Sequence, residues 1–284
     1  YSLVYTGKAL IEEGDIASIE PVNYAIFAGS SFLILFAYPL IYILEKIFGM
    51  ITDITLIELS NTNNKLLRDL AQKAPGTFQH SIQVANLAEE AIYEIGGKAL
   101  LVRVGALYHD IGKMNNALYF VENQSTGVNP HDELTYEESA NIIINHVLDG
   151  IEMAKKNNLP EEIIDFIRTH HGTRKVEYFY IKQKKDFPDE EVDDRTFSYH
   201  GPIPFSRETA VLMMADSVEA ASRSLKKPDE EAINNLVEGI ITKQVETDQF
   251  INSDITLRDI TTIKKILKKK MKNIYHVRIA YPEE

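Results

Sequence analysis

The sequence predicts an all-α protein, a helical bundle preceded by one membrane-crossing helix. Three observations carry that prediction. Apolar residues recur at helical spacing in nearly every segment from Pro75 onward. Residues 22–44 run 23 positions without a charge, which soluble helices seldom do. The whole chain of 284 residues, 44% hydrophobic and 25% charged, has the composition of a folded protein with a sizeable core.

In chain order, Tyr1 at the front reads as the interior of a longer protein, and nothing there has the basic start and cleavage site of a secretory signal. Residues 1–20 are expected on the extracytoplasmic side, with 1–10 (YSLVYTGKAL) as the stub of an earlier span. Residues 21–44 are the expected transmembrane helix. Its stretch VNYAIFAGSSFLILFAYPLIYIL can cross a hydrocarbon core of about 30 Å. Tyr38 and Tyr42 suit the headgroup level and Pro39 is tolerated there; a buried core helix or a signal anchor is the alternative. Glu12, Glu13, Asp15 and Glu20 outnumber Lys8 before the span, and Lys46, Lys65, Arg68 and Lys73 follow it. That asymmetry places the C-terminal side in the cytoplasm.

Residues 45–69 read as a connecting helix and linker. Ile47, Ile51, Ile54 and Ile57 share a stripe that packs on a partner or on the domain's own core, and 60–64 (SNTNN) is a polar break. The domain proper spans 70–284. Thr77 is the expected N-cap of a helix through Ile82, Ala85, Ala88 and Ile92 to Gly96-Gly97. A second helix runs from Leu100 to Ile111 and is closed by Gly112; a third covers Glu137–Lys156. Pro160, Glu161 and Glu162 open another that Gly172 ends. Residues 182–198 are acidic and polar and read as a mobile excursion. Helices follow over 206–224, 229–247 and 255–274, with 226–231 as a turn and an extended tail at Val277–Ile279. The last helix carries KKILKKKMK (264–272), read either as a solvated face or as a basic face for anionic lipid.

Composition also excludes chemistry. A net charge of −12 argues against a polymeric nucleic-acid partner. The absence of cysteine removes disulfides, thiolate nucleophiles and thiolate metal sites, so any metal must be held by His and carboxylates. Such residues occur in unusual places. His80 shares a face with Val84, Leu87 and Ala91; His146 lies beside Ile142, Ile143 and Val147; His170 and His171 end a helix built on Ile163, Ile164, Phe166 and Ile167. Asp216 sits inside AVLMMADSVEAA, where a carboxylate costs several kcal/mol unless paired or bound to metal. His109-Asp110 closes LLVRVGALYHDIGK. Any one His on an apolar face is more often a hydrogen-bonded core residue, and a second His-Asp pair, His131-Asp132, reads as part of a turn. The combination points further, because a bundle brings the inner faces of its helices together.

HDIGK (109–113), with His80 before it and His146, His170-His171 and Asp216 after it, resembles the HD-domain metal phosphohydrolases. APGTFQHS (74–81), ALYHDIGK (106–113), ENQ (122–124), NPHDEL (129–134), RTHHGT (168–173) and MMADSVEAASRS (213–224) narrow the likeness to PgpH-type, seven-transmembrane HD proteins, which are bacterial cyclic di-AMP phosphodiesterases. It covers roughly residues 45–284, the preceding span matching that family's last membrane helix; the family's extracytoplasmic region and most of its membrane helices have no counterpart here.

The resemblance implies that His80, His109, Asp110 and Asp216 hold one metal and that Asp110 bridges to a second held by His146, His170 and His171. Two six-coordinate ions so held keep positions open for a bridging hydroxide and a phosphate oxygen on each. Imidazole and carboxylate donors favour Mn or Fe. Lys113 is then the candidate to meet the non-bridging phosphate oxygens, or else a solvated lysine after a helix end; Arg174 and Arg223 are further phosphate candidates, Arg223 with Glu219 as an alternative partner. Tyr119, Phe120, Tyr178 and Tyr180 stack on adenine or fill core.

The function implied is hydrolysis of cyclic di-AMP to pApA by a dinuclear-metal-bound hydroxide at a bacterial cell membrane. Residues 21–44 would be the anchor, the catalytic domain would be cytoplasmic, and a membrane-embedded sensor region would regulate it; a homodimer is left open. Cyclic di-GMP or a nucleotide triphosphate is the alternative substrate, although the Gly-Tyr-Pro that follows the paired His of cyclic di-GMP hydrolases is replaced here by GTRKVEYFYIK. A non-catalytic nucleotide sensor is the alternative of another class.

Overall fold

A computed structural model describes residues 1–12, 20–124, 127, 129–225 and 228–276, with the side chains of Tyr38 and His276 excepted. The expected tail at 277–279, Glu13 and Asp15 of the first segment, and Lys226 and Lys227 of the predicted turn lie outside the described residues. The chain divides into two compact units, Tyr1–Thr52 and Asp53–Glu284.

The first unit holds α1 (Ser2–Glu12), α2 (Pro21–Ile34) and α3 (Ala37–Phe48). Pro21 starts α2, where its missing N–H has no partner to lose. Asn23 Nδ2 donates to Tyr5 Oη at 2.6 Å and Thr6 pairs with Tyr24, so polar groups join α1 to α2. The Tyr5 ring stands edge-on to Tyr24 and Phe27. The single helix expected over 21–44 is interrupted. Leu35 and Phe36 leave the ladder and the axes bend by 45°; neither helix alone is long and apolar enough to cross a membrane, whereas the pair together has the length and composition. Pro39 explains the break, because it cannot donate to a continuing ladder and its ring crowds the preceding turn. Gly49, at φ +58°, then ends α3, so the predicted helix over 45–59 is also divided.

Every regular element among the described residues of the second unit is a helix, apart from one isolated bridge between Lys175 and Ser198. Two short helices lead in, α4 (Asp53–Ser60) and α5 (Lys65–Lys73), the latter capped by Asn64 and seating Leu66, Leu67 and Leu70 in the core. Then α6 (Pro75–Glu94) lies against α7 (Ala99–Tyr108). Thr77 is no N-cap: α6 begins at Pro75, and Thr77 sits in its first turn with its N–H on Asn123 Oδ1. α7 ends at Tyr108, earlier than expected, and a 3-10 turn at Ile111–Asn115 follows.

Thr135 and Glu138 form a reciprocal cap for α8 (Tyr136–Lys156). Pro160 precedes α9 (Glu161–Thr169), whose Phe166 ring lies where a Cβ on Gly105 of α7 would stand, so only glycine allows this crossing. The expected excursion over 182–198 is tied down at both ends: α10 (Glu177–Asp186) covers its start and Phe197, fully buried beside the Lys175–Ser198 bridge, anchors its end, while 187–195 between them runs without helix and mostly exposed.

α11 (Arg207–Ser222), capped by Ser206 and Thr209, is the core helix, buried from Thr209 to Glu219. α12 (Glu230–Glu246) starts at the Asp229 cap and packs on α11 and on α13 (Leu257–His276). α13 inserts Ile263, Leu267 and Met271 into the core, while Lys264 and Lys268 pair with Glu238, Lys272 with Glu230 and Lys270 with Glu90. Those lysines serve helix packing, which removes most of the basic face once considered for lipid.

Candidate metal centre

Five helices deliver seven donors to one buried place. His80 comes from the second turn of α6, His109-Asp110 from the end of α7, His146 from the middle of α8, His170-His171 from the end of α9 and Asp216 from α11. Asp110 stands between two groups. Its Oδ2 faces His109 Nε2 at 3.2 Å and His80 Nε2 at 3.5 Å; its Oδ1 faces His146 Nε2 at 3.3 Å and His170 Nε2 at 3.5 Å. Asp216 Oδ1 lies 2.9 Å from His80 Nε2 and 3.6 Å from His109 Nε2. His171 joins Asp110, His146 and His170 in a set whose donor atoms lie within 4.8 Å of one another, and His80, His109 and Asp110 form a second such set. Gly112 makes this possible: a Cβ there would fall 1.9 Å from the His146 carbonyl oxygen, so the turn carrying Asp110 can lie directly on α8.

The donor set fits a cation. His109, His146 and His170 each bond through Nδ1 to the carbonyl three residues earlier, at 2.7, 2.5 and 2.8 Å. A carbonyl only accepts, so each Nδ1 carries a proton and each Nε2 faces the cluster, where its lone pair is the one available to a cation. His146 and His170 then bring two Nε2 atoms within 3.2 Å of each other, a repulsive contact unless something positive lies between them. His109 Nε2 and both oxygens of Asp110 are buried without a hydrogen bond in proper geometry, an arrangement that costs free energy unless a cation satisfies it. Divalent metal ions are the group these lone pairs suit.

Residues beyond the seven also shape the site. Lys113 Nζ lies 2.7 Å from Asp110 Oδ2 and 2.9 Å from Glu122 Oε1, so it is an ion-paired, half-enclosed cation, not a solvated lysine. Glu122 also accepts from Thr77 Oγ1 at 3.1 Å, which ties the segment ENQ to the start of α6. Glu219 bonds His80 Nδ1 and is gripped by Arg223, whose Nη2 reaches Oε1 at 2.7 Å. Arg223, expected at a phosphate, is thus occupied by Glu219, one of the two partners the sequence offered. Arg174 lies with its Nη1 on Ser217 Oγ at 2.6 Å, beside Asp216 in sequence. Tyr199 stacks on His171 with ring centroids 4.1 Å apart. Of the candidate stacking residues, Phe120 is buried edge-on to His146 and Tyr180 packs on Phe197, so both serve packing.

The electrostatics follow from this arrangement. Burial raises Asp110, but the charges of His109 and Lys113 overcome it and hold its carboxyl well below the usual range. Asp216 is likewise held well down against burial by bonds from His109 and His80. Burial disfavours protonation of His80 and His109, yet bonds to Asp216 and Glu219 raise His80, and Asp110 lifts His109 to about 10. His170 is lowered by burial, and His171 falls well below its ordinary value through burial and its imidazole neighbours. Lys113 stays charged because Asp110 and Glu122 outweigh its burial.

Glu122, Glu219 and Tyr199 escape a search of the sequence for apolar-face ligands. Glu122 and Glu219 lie inside the quoted ENQ and MMADSVEAASRS segments, so the signal was there. Tyr199 follows the acidic stretch read as an excursion and had none.

Comparison with known proteins adds an independent line. The HD domain pattern matches residues 77–221. A cyclic-di-AMP phosphodiesterase PgpH of Listeria monocytogenes is 44% identical over 269 residues, 95% of this chain and 37% of that protein. The protein of that name from Bacillus subtilis is 44% identical over 239 residues, 84% of this chain and 33% of its own. This chain therefore spans about a third of the length of these relatives. A crystal structure of the L. monocytogenes PgpH HD domain in complex with cyclic-di-AMP superposes with a TM-score of 0.73 at 46% identity, covering 76% of this chain and all of that one.

Proposed function

Because the chain belongs to the HD-domain family, in its PgpH-type branch, we propose that it is a metal-dependent phosphodiesterase that hydrolyses cyclic di-AMP to the linear dinucleotide pApA. The observation that carries this is the convergence of imidazole Nε2 atoms on both oxygens of the buried Asp110. Two divalent cations, Mn or Fe by the nature of the donors, would supply charge against the phosphodiester and lower the pKa of the attacking water. His80, His109, Asp110 and Asp216 would hold one, and His146, His170 and His171 with Asp110 the other.

The chain's own residues do the rest. The backbone carbonyls behind His109, His146 and His170 fix each ring, so the site is preorganised before substrate arrives. Lys113 holds a permanent positive charge beside Asp110, positioned for a non-bridging phosphate oxygen, and Glu122 keeps its ammonium from swinging out to solvent. Water adds to phosphorus, one P–O bond of the ring breaks, and the freed ribose oxygen takes a proton to give one linear product.

The domain limits supporting this reading are 1–20, 21–44, 45–69 and 70–284, with the bent pair α2–α3 as the membrane anchor of a bacterial cell-membrane protein whose catalytic domain faces the cytoplasm. A membrane-embedded sensor region would regulate it. The test is a substrate panel of cyclic di-AMP, cyclic di-GMP and a nucleotide triphosphate with Mn present, with product identification. Cyclic di-AMP is expected to turn over fastest, and faster turnover of the guanine dinucleotide would overturn the substrate assignment.

A further inference from the structure

The two halves of the cluster are backed differently. His109, His146 and His170 lean on neutral backbone carbonyls. His80 leans on a charged side chain: its Nδ1 bonds Glu219, a residue 7% exposed. Glu219 is itself clamped along one edge by Arg223, through Nε to both oxygens at 3.1 Å and Nη2 to Oε1 at 2.7 Å. The two acids lie one turn apart on α11, Asp216 bonding His80 Nε2 while Glu219 bonds its Nδ1. A single helix face thus grips one imidazole at both nitrogens.

A carboxylate behind an imidazole makes it a stronger donor than a carbonyl does. The His80 side therefore sees Asp110, Asp216 and a carboxylate-backed ring, whereas the His146, His170 and His171 side sees the other oxygen of Asp110, with carbonyls behind His146 and His170. The positive Arg223 offsets Glu219 only from the far edge and from a third-exposed position, while Glu219 touches the ring itself.

Resting on the reading of the cluster as a two-cation centre, we infer that the two positions bind unequally: the Asp216 side is the tighter, and Glu219, held by Arg223, is the positioning residue that makes it so. The readout is cation binding, so absence of cyclic di-AMP hydrolysis would leave this inference testable.

The experiment is titration of the chelator-stripped protein with Mn²⁺ alone, followed by calorimetry and by the electron paramagnetic resonance signal of free Mn²⁺. The unaltered protein is expected to show two classes of site. Glu219→Gln keeps the size of the side chain and removes its charge, and should weaken the tighter class by roughly 10- to 100-fold while leaving the weaker class in place. His171→Ala should abolish the weaker class and spare the tighter. Arg223→Met, at a partly exposed residue, should shift the tighter class in the same direction by less, and it serves as the second variant should Glu219→Gln lose its native circular dichroism. A single class in the unaltered protein overturns the inference. So does a folded Glu219→Gln in which both classes, or only the weaker, are altered, or, where Arg223→Met must serve instead, a tighter class that does not move.

Discussion

The two sides of the candidate centre use one residue type in opposite electrical states. Burial works against a charged imidazole at His80, His109, His170 and His171 alike. On the Asp216 side, carboxylates overcome it, raising His80 and lifting His109 to about 10. On the far side burial prevails at His170 and His171, which are lowered. Without a metal, the first side therefore stores protons where a cation would sit, and the second stands open with bare lone pairs. Histidine chemistry here is decided by what stands behind and beside the ring rather than by depth, because all these rings are deep.

Asp110 joins the two sides, and removing it gives the largest effect. Asp110→Ala deletes the oxygens facing both sets of rings. Hydrolysis should fall by more than the roughly 10²–10³-fold that deleting one transition-state stabiliser costs, and elemental analysis should find both cations lost. A variant that retained either one at full occupancy would show that the halves are independent sites.

Gly112→Ala attacks the same junction through the backbone. The added Cβ would meet the His146 carbonyl oxygen at 1.9 Å and the Gly150 nitrogen at 2.5 Å, neither of which can swing aside. The turn bearing Asp110 must lift from α8, separating Asp110 from His146. Denaturant unfolding should show a loss of at least roughly 1–3 kcal/mol, accompanied by weaker cation binding. Wild-type stability would mean that the turn has slack the packing does not reveal.

Much of this was readable from residue pattern. His80, His146 and Asp216 announced themselves as polar groups on apolar faces, and a helix buried on all sides, as α11 is, leaves its one central carboxylate no solvent to face. The pattern failed where the physics is not periodic. The break at 35–36 follows from one proline within an otherwise uniform apolar run, which hydropathy alone does not register. Glu122 reaches the site from a chain of short 3-10 turns that have no repeat to detect. Phe197 looked like part of a solvated acidic stretch because its burial depends on α10 and α8, which a local window does not contain.

Glu122→Gln sharpens the comparison more gently, because Glu122 meets Asp110 through Lys113 and otherwise bonds Thr77 of α6. The amide keeps a hydrogen bond to Lys113 and loses the ion pair. Turnover should drop by roughly 10- to 100-fold, the usual scale for a residue that orients another, with kcat falling more than KM rises and both cations retained. Loss of a cation would reassign Glu122 from holding Lys113 to supporting the metal side directly.

The smallest effect is the one that tests the contrast in charge itself. A cation entering the Asp216 side must displace the proton that His109 keeps up to about pH 10, and the upward shift of His80 works in the same direction. Binding there releases protons, so its apparent affinity should rise with pH by about tenfold per unit for each proton displaced. On the far side, His170 and His171 are already neutral at pH 7, because their values are shifted downward. His170 and His171 should therefore add no pH dependence to binding there from pH 7 to 8. Calorimetry in two buffers of different ionisation enthalpy counts the protons: release confined to the tighter class is expected in the unaltered protein, and His80→Ala should reduce it. Equal release from both classes would mean that the carboxylates do not divide the centre, and that all the rings share one proton affinity despite their different neighbours.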